Sequence, residues 1–207
     1  MAVLSTLPAL LTTENNRGKT MNVYDWDKTI YHGDSTAHFY LYCLKTQPSV
    51  WKWLPYQGLC AIPFALGLME KTAFKQRFYK FFSSVKDIDK TVETFWQLHK
   101  KNVKPFYDKT RREDDVIISA SPYFLLEPII KELGIKHLMA SNVDKFTGRY
   151  DGINCHGKEK VRRFYEVYPD GVIEEFYSDS LSDSPLAEIS QKAYLVKDFD
   201  LLPWPGK

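Results

Sequence analysis

The sequence has few cysteines, little net charge and no apolar run long enough to span a bilayer. Its three cysteines lie far apart without CxxC spacing, which argues against a disulfide framework or a zinc site and favours a reducing cytoplasm. The formal net charge is only +2 with both signs interleaved, so no nucleic-acid partner is indicated. The uncharged residues 54–69 contain two prolines and are fewer than the about 20 apolar residues that cross a membrane. They are interpreted as a buried or interfacial helix pair rather than a transmembrane segment.

The chain also lacks an obvious leader. Residues 1–11 are mildly apolar but have no basic stretch of the kind that begins a secretory signal. Residues 1–20 are therefore predicted to be a loosely ordered extension. The full length of 207 residues suits one core domain that carries a smaller insertion.

Three short apolar stretches each end at polar residues. Residues 21–24 precede two aspartates, residues 116–118 precede a serine, and residues 172–177 precede a Ser-Asp pair. Helical patterns are predicted at 122–133, 157–168 and 184–190, with further short strands at 136–139 and 192–196. Strands that alternate with helices predict an α/β fold, with a Rossmann-like parallel sheet and helices on both faces. Ligands of such sheets bind at the carboxyl ends of the strands.

Residues 34–112 are too long for one crossover and show helical spacing throughout. We interpret this stretch as an inserted all-helical cap, and residues 21–33 with 113–207 as the catalytic core. Aromatic residues recur in the cap at helix-compatible spacings, and their simplest interpretation is the core of the cap. These aromatic residues are Trp51, Trp53, Phe64, Phe74, Phe78, Phe81, Phe82, Phe95 and Trp96.

Two acidic strand ends in one parallel sheet would gather several carboxylates at one edge. Asp25 and Asp27 follow the first strand, and Asp179 and Asp183 follow the strand at 172–177. Either pair alone is equally typical of a turn or a helix cap. Together they would repel one another unless a cation is bound, and hard oxygen ligands without His or Cys indicate Mg²⁺.

A carboxylate beside Mg²⁺ can attack phosphorus, and the phosphoryl group then needs hydrogen-bond donors and a fixed positive charge. Ser119 offers a hydroxyl at the second strand end, and Lys160 offers a charge near a helix start. Each residue alone fits an ordinary turn serine or a solvated lysine. Lys158 lies close enough in sequence to compete with Lys160 for the phosphate role.

This order of motifs resembles the haloacid dehalogenase superfamily, in particular the branch that contains the phosphoserine phosphatases. The resemblance covers nearly the whole chain from Met21, and its G-x-x-K-V pattern favours Lys160 over Lys158. It implies that Asp25 is the nucleophile and Asp27 the general acid/base. The family usually has Gly or a small residue where Lys28 stands.

The resemblance also implies the remaining site residues. Mg²⁺ would be bound by Asp25, the Asp27 carbonyl and Asp179, with Asp183 supporting. The predicted substrate-binding residues are Thr29, Asp34, Ser119 and Lys160. Asp34 corresponds to an acid that binds the substrate amine in phosphoserine phosphatase-like enzymes, and it equally suits the start of the cap helix. His32 is left as a structural residue.

Shorter strings resemble phosphatidylglycerophosphatase C-like proteins: residues 177–180, residues 156–161, and Gln47-Pro48 before an apolar stretch. The predicted function is a Mg²⁺-dependent phosphomonoester hydrolase with an aspartyl-phosphate intermediate, acting on a lipid or polar head-group phosphate. A phosphoserine-like substrate and a phosphotransferase remain alternatives, and a non-catalytic binding module or a dehalogenase fits less well. The cap would exclude water and select the substrate. Transient contact with a membrane surface and the oligomeric state are left open, and Lys71, Lys75 and Arg77 could reach a phosphate or stay solvated.

Overall fold

The computed structural model describes residues 18–207, so most of the predicted extension at 1–20 lies outside the described residues. The strands are β1 (Thr20–Tyr24), β2 (Val116–Pro122), β3 (His137–Ser141), β4 (Val172–Ser178), β5 (Lys192–Lys197) and β6 (Asp200–Pro203). The α-helices are α1 (Ser35–Thr46), α2 (Leu54–Ala65), α3 (Lys71–Phe78), α4 (Ile88–His99), α5 (Pro105–Thr110), α6 (Tyr123–Glu132), α7 (Lys158–Val167) and α8 (Ser184–Ile189). Short 3-10 helices connect several of the helices between β1 and β2.

The strands form one sheet in the order β3-β2-β1-β4-β5-β6. The first five are parallel, and β6 pairs antiparallel with β5. β1 lies between β2 and β4. The chain first adds β2 and β3 on one side of β1 and then adds β4, β5 and β6 on the other side. The three strands with predicted polar ends are therefore neighbours, and the predicted α/β parallel sheet is confirmed. β6 was not predicted.

Two apolar clusters cover the two faces of the sheet. One contains Phe164 and Trp204 and packs against Met21 and Val23 of β1. The other combines Tyr24 and Trp26 with aromatic side chains from between β1 and β2, such as Trp96. Trp96 also donates from Nε1 to the Leu125 carbonyl of α6 at 2.5 Å. The helices of residues 34–112 therefore share one core with the sheet.

The prediction that the cap aromatics form core is right for most of them and wrong for two. Phe81, Phe82 and Phe95 are buried, whereas Trp51 is 58% exposed and Phe64 is 37% exposed. The exposed pair lies at or next to α2, which buries only Gln57 and Cys60. A helix that contacts the body through so few positions leaves its other side chains at the surface.

Among residues 18–207, no helix is long and apolar enough to cross a membrane. The three cysteines, Cys43, Cys60 and Cys155, are buried and free.

Candidate active site

The chain turns sharply after β1 and so brings Asp25 and Asp27 to the same edge of the sheet. Asp25 continues the ladder, since its N–H donates to the Tyr177 carbonyl of β4 at 2.9 Å. The chain then folds back on itself, and the Tyr31 N–H donates a hydrogen bond to the Trp26 carbonyl at 2.9 Å. Lys28 has a φ of 59°, in the left-handed region that glycine adopts most easily. This conformation explains why a small residue or Gly suits that position.

Lys160 connects the two acidic strand ends. Its Nζ donates to Asp25 Oδ1 at 2.7 Å and to Asp183 Oδ2 at 2.8 Å. Only 2% of the Lys160 side chain is exposed, whereas Lys158 is exposed. The structure thus places Lys160, and not its competitor, among the predicted catalytic carboxylates. Lys160 lies in the first turn of α7, so this helix fixes where its ammonium sits.

Asp27 is held by groups that sequence reasoning missed. Its Oδ2 accepts a 2.5 Å hydrogen bond from Ser121 Oγ, and its Oδ1 accepts from the Ser35 N–H at 2.6 Å. Burial and the nearby Asp34 carboxylate raise the pKa of Asp27 to about 6, and the hydrogen bonds from Ser121 and Ser35 oppose that rise. The surroundings of Asp27 therefore favour its protonated form more than water does.

The loop after β4 holds the second acidic pair. The Asp179 N–H donates to Thr29 Oγ1 at 2.9 Å, and Ser178 Oγ donates to Asp183 Oδ2 at 2.8 Å. Thr29 is fully buried, so in this structure its hydroxyl positions the Asp179 loop. Burial raises the pKa of Asp179, and the positive charge of Lys28 opposes this. The predicted role of Thr29 in substrate binding stays a prediction.

Ser119 lies near the carboxyl end of β2, where the strand pairing with β3 is irregular. It is buried, and its Oγ accepts from the Ser121 N–H at 3.1 Å. The register of β2 against β3 shifts between Ser119 and Pro122. Side chains two residues apart in a strand point to the same face, and Ser119 and Ser121 both line the same cavity. The S-x-S pattern after an apolar strand was the available signal for Ser121.

A cavity of about 190 Å³ opens between these strand ends and the helices of residues 34–112. Asp34 lines it and also caps α1, because its Oδ1 accepts from the Ala37 N–H at 2.9 Å. Asp34 thus caps the cap helix α1, and its predicted role in binding a substrate amine stays a prediction. The basic groups that line the cavity are Lys28, Lys71, Lys75, His156 and Lys160. Of the three cap residues left open, Lys71 and Lys75 reach the cavity, and Lys75 Nζ donates to the Ala120 carbonyl at 3.4 Å. His32 instead stacks on Phe199, with ring centroids 5.7 Å apart.

Buried charge dominates the electrostatics of the site. Burial raises the pKa of Asp25 to about 7; Lys160 opposes this rise, and Asp183 adds to it. Burial alone would lower the pKa of Lys160, but Asp25 and Asp183 outweigh it and raise that pKa above its ordinary value. Lys160 therefore stays protonated.

The residues fit a hard divalent cation. Asp183 Oδ1 is buried without a hydrogen-bond partner, as expected for an atom near a further cationic species. The available donors are carboxylate and carbonyl oxygens, which suit Mg²⁺. Within residues 18–207, no group of three or more His, Cys, Asp or Glu side chains is arranged to hold a metal ion.

The sequence model described as haloacid dehalogenase-like hydrolase matches residues 23–188, and the chain belongs to this family. Protein CicA of Caulobacter vibrioides is 34% identical over 88 residues, which cover 39% of this chain and 40% of that protein. A probable phosphatase of Mycobacterium tuberculosis is 31% identical over 109 residues, 44% of this chain and 37% of that protein. The aligned region thus spans well under half the length of these curated relatives.

Solved structures share the fold. A Bordetella pertussis protein of unknown function superposes with a TM-score of 0.72 at 18% identity, covering 86% of this chain and 89% of that one. A phosphoserine phosphohydrolase-like protein from Francisella tularensis gives a TM-score of 0.57 at 14% identity, covering 85% and 86%. At these identities the likeness shows the fold alone.

Proposed function

We propose that this protein is a Mg²⁺-dependent phosphomonoester phosphatase that works through an aspartyl-phosphate on Asp25. The observation that carries the proposal is the buried Asp25–Lys160–Asp183 arrangement at the carboxyl end of β1. A nucleophilic carboxylate lies there beside a fixed ammonium that can bind the phosphoryl group. Asp27 lies two residues away on the same turn.

The first half-reaction forms a bond between an Asp25 carboxylate oxygen and phosphorus and breaks the ester P–O bond. The leaving alkoxide takes the proton of Asp27, whose pKa of about 6 suits a general acid near neutral pH. In the second half-reaction, Asp27 takes a proton from water as the water oxygen attacks phosphorus. Inorganic phosphate leaves and Asp25 is regenerated as a carboxylate.

The phosphoryl oxygens need donors throughout both steps. Lys160 Nζ uses two of its three hydrogens on Asp25 and Asp183, which leaves one for a phosphoryl oxygen. The buried Ser119 hydroxyl at the cavity is the second proposed donor. We propose that Asp25, Asp179 and the Asp27 carbonyl hold Mg²⁺, with Asp183 in support. When bound, the ion neutralises charge that develops on the phosphoryl group.

The shape and charge of the cavity support a small, anionic head group. At about 190 Å³ it is smaller than the ~300–1,000 Å³ of sites for drug-sized ligands. Lys28, Lys71 and Lys75 line it in addition to the phosphate lysine. With Mg²⁺ bound to offset the five aspartates that also line the cavity, these charges favour a phosphomonoester with a second anionic group, such as the head group of a lipid phosphate monoester. The likeness to phosphatidylglycerophosphatase C-like strings points in the same direction.

Two alternatives use the same residues. The Asp34 carboxylate at the cavity favours a small ammonium-bearing substrate of the phosphoserine kind. A phosphotransferase would pass the phosphoryl group from Asp25 to an alcohol instead of water.

A non-catalytic module accounts poorly for the complete set of nucleophile, acid and phosphate lysine. A cytoplasmic location remains a prediction from the cysteine pattern.

Phosphate release from a panel of phosphomonoesters tests the proposal. The panel should contain phosphoserine, glycerol phosphates and a dispersed lipid phosphate monoester, each with Mg²⁺ or with EDTA. We expect Mg²⁺-dependent release, fastest for esters with a second anionic group. Added glycerol separates a hydrolase from a transferase, because a transferase makes a new ester at the expense of free phosphate. No turnover of any ester with Mg²⁺ would count against a phosphatase.

The proton-transfer role of Asp27 predicts opposite shifts for two variants. Ser121→Ala removes a hydrogen bond that lowers the pKa of Asp27, and Asp34→Asn removes a charge that raises it. Because the acid form donates to the leaving group, kcat/KM falls as pH rises through this pKa. We expect Ser121→Ala to move that alkaline limb to higher pH and Asp34→Asn to lower pH.

Full pH profiles of kcat/KM with Mg²⁺ measure both shifts. Asn retains the ability to cap α1, so Asp34→Asn should fold normally. Shifts in the same direction for both variants would mean that another group controls the limb.

A further inference from the structure

Helix α2 exposes most of its large apolar side chains and buries a polar residue. Its two buried residues are Gln57 and Cys60, although most of its residues are apolar. The large apolar side chains of α2 and of the residues that follow it are exposed instead. They are Leu54 at 46%, Leu59 at 69%, Ile62 at 58%, Leu66 at 68% and Leu68 at 78%. Contiguous apolar surface of this kind on a protein marks an interaction site.

The inward side of α2 is fixed by specific contacts, so the apolar side cannot turn inward. Gln57 accepts a hydrogen bond from the Tyr40 hydroxyl and donates from Nε2 to the Phe78 carbonyl at 3.0 Å. Phe64 stacks on Phe74 of α3 with ring centroids 4.3 Å apart. Helices α2 and α3 thus form a hairpin, residues 54–78, which we call the apolar hairpin.

The charged residues in and around the apolar hairpin are mostly basic. Between residues 51 and 80 the only acidic residue is Glu70, while the basic residues are Lys52, Lys71, Lys75, Arg77 and Lys80. Two of these ammonium groups lie over aromatic rings, Lys52 over Trp53 at 5.8 Å and Lys80 over Tyr56 at 4.7 Å. Exposed leucines with Trp, Tyr and a basic fringe are the composition of helices that lie in a membrane interface.

We propose that the apolar hairpin docks on the surface of an anionic lipid bilayer, with its leucines in the acyl boundary. The basic residues beside it that do not line the cavity, Lys52, Arg77 and Lys80, lie at the head groups. A second copy of this chain is the rival occupant, and the charges disfavour it. Two identical fringes that each carry these three basic residues would repel across a symmetric interface. Lysine is also depleted at protein–protein interfaces.

The docking surface and the catalytic cavity share helix α3. Lys71 and Lys75 of this helix line the cavity, while Phe74 holds α2 in place. Docking would therefore bring lipid head groups close to the residues that line the site. This part of the inference rests on the proposed function, since it makes the substrate a phosphomonoester presented at a bilayer. The docking itself does not depend on catalysis.

Co-sedimentation of the full chain with vesicles tests the docking. The vesicles are neutral phosphatidylcholine, or phosphatidylcholine mixed with phosphatidylglycerol, and neither contains a phosphomonoester. We expect binding to the anionic vesicles that weakens as salt is added. The triple variant Leu59→Ser, Ile62→Ser and Leu66→Ser should lose about tenfold or more of that binding, because three apolar side chains no longer enter the bilayer.

The matched control is Leu98→Ser with Phe146→Ser, two residues that are 54% and 62% exposed outside the hairpin. It should bind vesicles like the unaltered chain. Equal binding by the triple variant and the control would overturn the proposal, as would no binding of the unaltered chain to anionic vesicles. Sedimentation velocity without vesicles covers the rival: a dimer that the triple variant converts to a monomer assigns the surface to a second copy.

Two further measurements separate this proposal from the proposed function. Asp25→Asn should bind anionic vesicles as well as the unaltered chain does, even if no phosphatase activity is ever found. The triple variant should hydrolyse a water-soluble phosphomonoester at the rate of the unaltered chain, because its substitutions lie outside the cavity. Loss of vesicle binding in Asp25→Asn would contradict docking through the hairpin.

Discussion

Replacement of Asp25 by Asn should lower kcat/KM for the best phosphomonoester by about 10⁴-fold or more, the range seen when a catalytic nucleophile is removed. The amide has nearly the shape of the carboxylate, so Lys160 and Asp183 can keep their positions. Its oxygen cannot form the acyl phosphate bond. Steady-state phosphate release with saturating Mg²⁺ measures the loss. Activity within tenfold of the unaltered chain would remove Asp25 from the role of nucleophile.

The same variant should fold at least as stably as the unaltered chain when metal is removed. Burial raises the pKa of Asp25 from an ordinary value near 4 to about 7 in the folded state. An acid whose folded pKa is raised opposes folding increasingly as pH climbs from its unfolded pKa, and the full penalty applies above about pH 7. Thermal unfolding in EDTA at about pH 8 should therefore give an equal or higher Tm for Asp25→Asn. A clearly lower Tm would show that ionised Asp25 stabilises the site.

Replacement of Lys160 by Met should abolish phosphate release and also destabilise the fold. The ammonium is the shared partner of Asp25 and Asp183, and all three groups are buried. Removing the shared cation typically costs about 3–5 kcal/mol, because both carboxylates are then left without compensation, whereas Asp25→Asn leaves Lys160 paired with Asp183. Urea unfolding in EDTA near neutral pH measures this change. The deficit should shrink at lower pH, where the carboxylates take up protons.

Lys158→Met is the matched control. Lys158 belongs to the same helix turn but is exposed, so its removal should change the free energy of unfolding by less than about 0.5 kcal/mol. It should also leave phosphate release almost unchanged. The reverse pattern, with activity lost in Lys158→Met and kept in Lys160→Met, would exchange the roles of the two lysines.

The central strands could be predicted because their apolar residues are consecutive and each run stops at a polar residue. β1, β2 and β4 lie where these runs indicate, and the helix predicted at 122–133 is α6. β2, however, continues through Ser121 to Pro122, although the letters after Ser119 look like a turn. The irregular pairing with β3 accommodates these residues. That pairing depends on β3, so the sequence of β2 alone does not reveal it. β6 was missed because its four residues are exposed and pair only with β5.

The predicted carboxylates, serine and lysine lie together because strand ends of a parallel sheet meet at one edge. What the sequence could not supply was how each side chain is held. Ser121 and Ser35 hold Asp27 through contacts across 94 and 8 residues. Lys71, Lys75 and Arg77 looked equivalent on one short helix, and only the packing of α3 decides that the first two line the cavity. The same packing turns the apolar side of α2 outward, against its hydropathy.

The core that the sheet shares with the helices of residues 34–112 limits which parts of the protein can move separately. Trp96, Phe95 and Phe82 belong to the same apolar cluster as Tyr24 and Ile117 of the sheet. Lifting all of residues 34–112 as one lid would expose that cluster to water, so it is a motion close to global unfolding. The α2–α3 pair buries few side chains, so its displacement would expose little apolar surface and cost far less free energy. If the chain acts as proposed, a bilayer that restrains this pair would slow the exchange of ligands at the cavity that Lys71 and Lys75 line.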